Sequence, residues 1–440
     1  MDRLFKLTEK GTNIKTEIIA GITTFLAMAY ILAVNPGILS QTGMSLQGVF
    51  LATAIASGFT SILMGILANY PVALAPGMGV NAFFTYTVCL KYGFSYQAAL
   101  AAVFLSGLIF IVISVTGIRK HIINSIPKDI KLAIGAGIGF FIAFIGFKNA
   151  GIIVANEATY VGLGNLKDPV VLLAIIGLFI TIVLMLKKIN GAVFIGILAT
   201  AIIGIIMNYL GVVGNFAALP SMPKGIVSFT FDGSLIGAFA SGFKELFSHA
   251  NFFVIIFSFL FVDFFDTAGT LVAIGNRIGL VDEKGEMKDV EKALIADAVG
   301  TVGGSMLGTS TITSFVESGS GVAAGGKTGL TAVTTGVCFL LAVFFSPLLG
   351  VVTNAITAPA LIIVGVLMAQ QLGDINWKDL AISFSAFLTV VSMILTYSIS
   401  DGIAVGFIAY TIASLAAGKV KDIKPIVYVL DIIFIIYFII

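Results

Sequence analysis

The sequence predicts an all-α polytopic membrane protein with fourteen transmembrane segments, arranged as two inverted repeats of seven. Three observations predict this class. The 440 residues are 58% apolar and only 10% charged, whereas a soluble domain carries about 25% charged residues. Runs of about 20 apolar residues recur along the chain. Lysine and arginine concentrate in alternate loops. Together these observations exclude a soluble globular protein.

The charge balance and the cysteines exclude further classes. Lysine and arginine number 24 against 22 acidic residues, for a net charge of +2, so no basic excess exists to hold nucleic acid through its phosphates. Cys89 and Cys338 both lie in apolar runs, which predicts packing roles and no disulfide framework or metal site. The N-terminus has no apolar core of signal-peptide length, so we expect the first span to act as the insertion signal.

The apolar runs give the span count. Eleven of them are long enough to cross a bilayer with little interruption. They lie at 17 to 34, 46 to 68, 95 to 117, 129 to 147, 168 to 186, 191 to 210, 250 to 274, 328 to 346, 357 to 371, 378 to 397 and 400 to 417. Three further stretches, at 72 to 90, 291 to 306 and 309 to 325, are interrupted by Gly, Ser, Thr, Pro or a carboxylate. Counting them gives the predicted fourteen.

The basic residues test this count and set the orientation. With fourteen crossings and an internal N-terminus, 19 of the 24 basic residues lie on the cytoplasmic side, as the positive-inside rule requires. We therefore expect a multi-pass protein of the cell membrane with both termini in the cytoplasm. The apolar tail at 425 to 440 contains Asp431, and it is either an interfacial helix or a tail packed on the bundle.

Two glycine-interrupted stretches indicate an internal repeat. ALAPGMGVNAFFTY at 73 to 86 and GTSTITSFVESGSGVAAGGKTG at 308 to 329 are each the third segment in a set of seven, and Asn81 and Glu317 lie 236 positions apart. An odd number of spans per repeat requires the second repeat to be inverted. Unwound backbone within a membrane is tolerated where it faces protein or a water-filled cavity. The pattern therefore predicts a midplane binding site between the two stretches.

Four intramembrane carboxylates are candidate functional groups, because such residues are costly to insert and usually functional. Asp263 and Asp266 have i,i+3 spacing, which places them on one helical face where they should titrate as a unit. Glu317 lies within the second interrupted stretch, and Asp297 is expected on a helix packing surface. Since no lysine or arginine lies beside them in the spans, protons or a sodium ion must neutralise them.

Four motifs together carry a family resemblance. AGITTFLAMAYILAVNP (20 to 36), ALAPGMGVNAFFTY (73 to 86), FVDFFDTAGTLVAIG (261 to 275) and GTSTITSFVESGSGVAAGG (308 to 326) resemble the azaguanine-resistance-like purine permeases of the nucleobase cation symporter superfamily. The resemblance implies a fold similar to the bacterial uracil symporter, with short strands in segments 3 and 10. It implies a core domain at 17–117 and 250–346, a gate domain at 129–211 and 357–417, and a C-terminal tail at 425–440.

The resemblance also implies roles for named residues. Asp266 matches the eighth-segment carboxylate that binds the base and couples the proton, and Glu317 matches the tenth-segment carboxylate that pairs with ring N–H groups. Asn81 matches a third-segment polar residue that the family needs for purine uptake. Asp263 matches a second acid, in a supporting or proton-linked role.

Other positions carry less specific expectations. The uracil carriers have Glu followed four residues later by His, where this chain has Asp266 and Thr270. The smaller side chains leave room for a purine, which is larger than uracil. They do not indicate which groups carry the proton. Backbone contacts to substrate are expected by position from Gly79, Val316 and Ser318.

The expected function is import of purine nucleobases by proton symport, with no cofactor beyond the proton motive force. Hypoxanthine and guanine are favoured because their N1–H can donate to a carboxylate, and an adenine-preferring symporter is the alternative. An anion carrier of the same fold would need a basic group near the interrupted helices, and a cation channel would conduct without saturation. No nucleophile and base pair indicates an enzyme. The choice between H⁺ and Na⁺ and a homodimeric state stay open.

Overall fold

The computed structural model describes residues 2–116, 126–211, 219–223, 225–249, 251–277 and 290–439, apart from a few side chains inside these ranges. The described residues are mostly helical. In the first half they form α1 (Asp2–Phe5), α2 (Ile14–Met28), α3 (Ile31–Leu39), α4 (Leu46–Leu67), β1 (Leu74–Pro76), α5 (Met78–Ala82), a π-helix (Phe83–Lys91), α6 (Tyr96–Val115), α7 (Lys128–Asn149), β2 (Ile153–Asn156), β3 (Tyr160–Leu163), α8 (Pro169–Leu186) and α9 (Ala192–Tyr209).

The second half repeats the alternation of long helices with one interrupted segment. Its elements are α10 (Phe239–Ser248), α11 (Phe252–Arg277), α12 (Val290–Leu307), β4 (Ile312–Ser314), α13 (Ser318–Ala323), α14 (Gly329–Ala342), α15 (Asn354–Ala369), α16 (Leu380–Leu395), α17 (Ile399–Ala416) and α18 (Pro425–Ile439). Short 3₁₀ segments at Val343–Val351 and Gln370–Asp374 extend α14 and α15.

Polar residues at span boundaries determine where several helices begin. The Ser45 hydroxyl accepts from the Gly48 amide at the start of α4, and the Ser95 hydroxyl caps α6 in the same way. Asp168 caps α8 and is followed by a proline in its first turn. Each cap satisfies a backbone N–H that has no partner within its own helix. Polar breaks in the apolar pattern therefore mark real helix ends.

The polytopic class is confirmed. Within the described ranges, nine helical stretches are long and apolar enough to cross a membrane, and three shorter apolar helices cover Phe252–Phe264, Leu380–Leu395 and Pro425–Ile436. The first of the nine, Ile14–Thr42, begins earlier than the predicted start at residue 17 and changes from α2 to α3 at Ala29 and Tyr30.

Strands β1 and β4 join the two interrupted segments, the places for which the resemblance implied strands. They pair antiparallel, with Leu74 opposite Ser314 and Pro76 opposite Ile312. The pairing continues past both ends, because the Phe315 amide donates to the Ala73 carbonyl and the Gly77 amide to that of Thr311, both at 3.0 Å. Backbone that leaves helical geometry within the bundle is thereby satisfied.

The helices pack in two sets around this pair of strands. In one set α4 packs against α12 and α14, α14 against α2, and α6 against α11 and α12. In the other set α7 packs against α15 and α16, α16 against α17, and α8 against α9 and α15. The main apolar core runs between the sets and includes Phe83, Phe141, Phe259 and Phe407.

The C-terminal tail packs on the bundle as helix α18. Phe434 makes ring contacts with Phe261 and Phe407, at centroid distances of 5.8 and 5.6 Å. Asp431 is buried and accepts a hydrogen bond from the Thr411 hydroxyl. Of the two alternatives open for this tail, the structure shows packing against α11 and α17.

Glu17 is a further buried carboxylate within the bundle, which the sequence analysis missed. It is fully buried and accepts from the backbone amides of Lys327 and Thr328, at 2.9 and 3.2 Å, and from the Thr331 hydroxyl at 2.6 Å. These groups lie at the start of α14, where a carboxylate stabilises the unpaired amides. Glu17 therefore joins α2 to α14 in a structural role.

Candidate functional site

The crossing of β1 and β4 positions the two central side chains. Helix α5 follows β1 and carries Asn81, while α13 follows β4 directly after Glu317. Because the strands are antiparallel, the segments that follow them leave from opposite ends of the sheet. Three residues per strand at about 3.3 Å each place these segments on the order of 10 Å apart. That spacing suits a planar ligand held by its two edges.

Glu317 follows β4, at one end of the strand pair. It is half-buried at the N-cap position of α13, and the Tyr30 hydroxyl donates to its Oε1 atom at 2.6 Å. Tyr30 is buried at the break between α2 and α3. The carboxylate therefore has one oxygen held by a donor from the first half of the chain and can accept further hydrogen bonds from a ligand.

Asn81 lies at the other end in a closed environment. It is fully buried, and the Ser310 hydroxyl donates to its Oδ1 atom. Its Nδ2 atom has no hydrogen-bond partner among the described residues. Since a buried donor without a partner is costly, a ligand that accepts from this amide would gain that free energy on binding.

Gly79 has a packing role in the structure. It lies in α5, and a Cβ atom at this position would stand 2.6 Å from Cγ2 of Ile138 on α7. The missing side chain therefore allows α5 to approach the second helix set. A backbone contact from Gly79 to substrate stays a prediction.

The remaining predicted positions differ in exposure. Val316 is 51% exposed, whereas Ser318 is buried and its hydroxyl accepts from the Ala73 amide at 3.0 Å. Ser318 thus closes one end of the strand pair. Thr270 is buried on α11. Their predicted substrate contacts stay predictions.

The acidic pair lies on α11 beside the strands. Asp263 is buried, and its Oδ2 atom lies 3.4 Å from the hydroxyl oxygen of Thr301. Asp266 follows one turn later in the same helix, and its side chain lies outside the described part of the structure. Both acids belong to the helix Phe252–Arg277, and their common face stays a prediction from the i,i+3 spacing.

Asp297 has a more specific environment than the expected packing surface. It is fully buried in α12 and accepts from the Thr267 hydroxyl at 2.7 Å. The Thr267 oxygen in turn accepts from the Ser314 amide of β4 at 3.3 Å. A chain of hydrogen bonds therefore connects Asp297 through α11 to the strand that precedes Glu317.

Matching hydroxyls brace the two strands. Ser61 of α4 accepts from the Leu74 amide at 2.9 Å and donates to its carbonyl at 3.1 Å. Thr301 of α12 does the same with Ile312, at 3.2 and 3.1 Å. Leu74 and Ile312 are the first residues of β1 and β4. Each hydroxyl comes from the long helix that precedes its strand in the chain. The first and second interrupted segments are thus held by equivalent contacts.

A second polar cluster joins the two helix sets beyond α5. The Tyr86 hydroxyl, in the π-helix, accepts from Gln41 at 3.1 Å and from Asn149 at 3.2 Å. The Nζ atom of Lys148 lies 5.1 Å from the centre of the Tyr397 ring, within the range of a cation–π interaction. Gln41 and Tyr86 come from the first set, and Asn149 and Tyr397 from the second.

Sequence reasoning missed the hydroxyls that orient these groups. Tyr30, Ser310, Thr267 and Thr301 each bind a candidate side chain or a strand. The only available signal was composition, because Tyr30 and Ser310 lie within the quoted motifs at 20 to 36 and 308 to 326. Their partners are distant in the chain, and Tyr30 and Glu317 are 287 positions apart.

Known proteins match this chain along nearly its whole length. The model of the permease family of xanthine and uracil carriers matches residues 15–421. A guanine/hypoxanthine permease of Bacillus subtilis, PbuG, is 49% identical over 449 residues, which cover 100% of this chain and 99% of that protein. The adenine permease AdeP of Escherichia coli is 42% identical over 435 residues, covering 99% and 95%.

Solved structures match in fold. The transmembrane domain of a cyanobacterium bicarbonate transporter, BicA, superimposes with a TM-score of 0.63 at 16% identity, covering 90% of this chain and 97% of that domain. The anion transporter SLC26A9 also gives 0.63, at 11% identity over 94% of this chain. At these identities the likeness concerns fold alone.

Proposed function

The chain belongs to the xanthine/uracil permease family, within its purine nucleobase permeases, and we propose that it imports hypoxanthine and guanine by proton symport. The observation that carries the substrate choice is the hydrogen bond from Tyr30 to Glu317. A donor on one oxygen favours the ionised carboxylate, which is an acceptor, and an oxopurine offers N1–H, with an exocyclic amine in guanine, to such a group.

The alternative substrate is adenine, which relatives also support. Two relatives at 42% and 43% identity are named adenine permeases. Adenine lacks the N1–H of an oxopurine and would need a protonated Glu317 as a donor. The competition experiment below separates these substrates.

Proton coupling is assigned to Asp263 and Asp266. A carboxylate buried in the bundle is costly when ionised, and two on one helical face disfavour double ionisation. A proton taken up from outside would occupy this pair while the base binds between Glu317 and Asn81. One proton moving through 100 mV provides about 2.3 kcal/mol, which corresponds to roughly 50-fold accumulation.

The proposed architecture is fourteen segments in two inverted repeats of seven, with both termini in the cytoplasm. Equivalent braces on β1 and β4 from Ser61 and Thr301 support the repeat. The helix set around α4 would be the core domain and the set around α7 the gate domain. Movement of one set against the other would open and close the cluster around Tyr86.

The test uses the purified full chain in liposomes. We expect saturable uptake of radiolabelled hypoxanthine that an imposed inward proton gradient drives, and that guanine blocks but uracil does not. If adenine competes best, the substrate choice changes to adenine. If no nucleobase enters under any gradient, the proposed function is wrong.

Coupling needs a separate variant. Asp266→Asn should abolish gradient-driven accumulation while exchange of external for internal hypoxanthine continues. Glu157→Gln is the matched control, since Glu157 is exposed beyond β2. If the variant loses both accumulation and exchange, Asp266 is needed for substrate binding and the experiment does not support its role in proton coupling.

A further inference from the structure

The two ends of the site receive their orienting hydroxyls from opposite repeats. Tyr30 of the first repeat donates to Glu317 of the second, and Ser310 of the second donates to Asn81 of the first. Both hydroxyl-bearing residues are buried. Each repeat therefore fixes the hydrogen-bonding character of the other repeat's side chain.

The chemistry at the two ends differs. Ionised Glu317 can only accept, but a protonated carboxyl could also donate. A hydroxyl that donates to the carboxylate stabilises the ionised form over the protonated form. Tyr30 therefore favours the ionised, accepting form of Glu317, which matches the N1–H of an oxopurine and mismatches the N1 lone pair of adenine.

The amide at the other end does not discriminate in this way. With its oxygen held by Ser310, Asn81 offers its Nδ2 donor. The separation set by the three-residue strands lets this donor face the edge of the base opposite Glu317. That imidazole edge carries a ring nitrogen acceptor in hypoxanthine, guanine and adenine alike.

We propose that Tyr30 is the specificity-determining positioning residue of this permease, and that Ser310 positions Asn81 to bind all purines alike. This inference rests on the proposed function. It assigns discrimination between oxopurine and aminopurine to a residue that acts through Glu317, and general affinity to a residue that acts through Asn81.

The experiment compares two substrates across four variants. We would measure kcat/KM for hypoxanthine and adenine in proteoliposomes, by counterflow, for Tyr30→Phe and Ser310→Ala. Tyr410→Phe and Ser385→Ala are the matched controls. Tyr410 and Ser385 are buried in α17 and α16, and the Ser385 hydroxyl bonds only to its own helix among the described residues.

Tyr30→Phe should lower the ratio of hypoxanthine to adenine kcat/KM by about 10-fold, because it removes a hydrogen bond to a charged group. Ser310→Ala should raise KM for both purines by a similar factor, about 5-fold, and leave the ratio unchanged. The controls should leave both constants at wild-type values. A merely structural role for Tyr30 would change both substrates equally.

A second probe of Tyr30 guards against misfolding of the phenylalanine variant. Incorporating 3-fluorotyrosine at position 30 keeps the ring and makes its hydroxyl a stronger donor. The hypoxanthine-to-adenine ratio should then rise above that of the wild type.

Two results would overturn the inference. One is an unchanged ratio in both Tyr30 variants, and the other is an equal change of ratio in Ser310→Ala. Wild-type protein that carries neither purine would instead refute the proposed function, so the two failures are distinguishable.

Discussion

The two interrupted segments have the same order of elements but differ in the burial and charge of their side chains. Each is a three-residue strand braced by a hydroxyl from the preceding helix and followed by a short helix. The first segment is buried throughout from Leu74 to Cys89 and carries the neutral Asn81. The second carries half-buried Glu317 beside Val316, which is 51% exposed. The first segment thus supplies a buried neutral side chain and the second a half-buried acidic one.

This difference follows from what the two side chains need. A carboxylate is costly to bury without partners, so its segment stays open and receives the Tyr30 hydroxyl. An amide can be buried with one hydrogen bond, and its segment packs tightly against the second helix set. Two segments with the same order of elements therefore form a site with one neutral and one acidic end, because one carries Asn81 and the other Glu317.

The largest expected effect comes from removing each polar group in turn. Glu317→Gln should lower the efficiency of hypoxanthine uptake by about 10- to 100-fold, because hydrogen bonds to charged groups contribute about 1.5–3 kcal/mol. Asn81→Ala should lower it by about 5-fold, the value of a neutral hydrogen bond. Initial uptake rates measure both. Equal losses would contradict the assignment of charged and neutral ends.

Glycine substitutions should separate packing within one helix set from packing between sets. In Gly321→Ala the new Cβ would stand 2.6 Å from the Ala20 carbonyl oxygen of α2, which is backbone and cannot move aside. In Gly79→Ala it meets the Ile138 side chain, which can. Overpacking costs about 1–3 kcal/mol in the free energy of unfolding. In thermal unfolding, the loss of stability should lie near the upper end of this range for Gly321→Ala and near the lower end for Gly79→Ala.

A transport assay on the two glycine variants adds a functional measurement to thermal unfolding. Gly79→Ala should slow hypoxanthine exchange more than its loss of stability accounts for, since α5 carries Asn81 and contacts α7 of the second set. The double variant with Ile138→Ala should recover part of the exchange rate. If Gly79→Ala destabilises the protein more than Gly321→Ala does, the packing argument is wrong.

The strand braces should be nearly equivalent. Ser61→Ala and Thr301→Val each remove a hydroxyl that serves one strand residue at both its amide and its carbonyl. Each should cost about 1–2 kcal/mol in the free energy of unfolding. Thr301→Val should cost the more, because Thr301 also reaches Asp263. A neutral result for only one of them would show that the two braces are not equivalent.

The smallest expected effect concerns Asp379, a carboxylate at the start of α16. Its ion pair can be compared with the hydrogen-bonded carboxylate of Glu317. The hydrogen bond from Lys419 holds the pKa of Asp379 below its ordinary value of 3.8. The pair therefore stabilises the folded state at pH values above 3.8, and this contribution is lost as the pH falls through the lowered pKa. Asp379→Asn should melt slightly below wild type near neutral pH.

The gap between Asp379→Asn and wild type should close in acid. Melting curves from neutral pH down to below 3.8 provide the measurement. A gap that widens as the pH falls would reverse the sign of this argument.

The sequence was sufficient for features that depend on local composition and spacing. Glycine-rich interruptions marked both strand segments, and i,i+3 spacing placed Asp263 and Asp266 on one face. The structure confirms the polytopic class, and the common face of the two acids stays a prediction. Helix ends were less accurate, and Glu17 was missed because its partners at the start of α14 are more than 300 positions away.

Features that depend on tertiary contacts could not be predicted. The register of β1 with β4 and the crossed hydroxyls of Tyr30 and Ser310 join residues that no periodicity relates. Asp297 was assigned to a packing surface because its neighbours are small residues, although its hydrogen bond to Thr267 connects it to β4. The contact of Gly79 with Ile138 on α7 was likewise not predicted from the sequence.

The antiparallel pairing of β1 with β4 also has a consequence for biosynthesis. Leu74 pairs with Ser314, so a ribosome must add 240 residues after Leu74 before its partner in β4 exists. During that interval the edge of β1 is an unpaired backbone in or near the membrane, which is costly and prone to wrong pairing. Assembly of the site is therefore a late step in folding, and chains that terminate before residue 312 should depend on quality control for their removal.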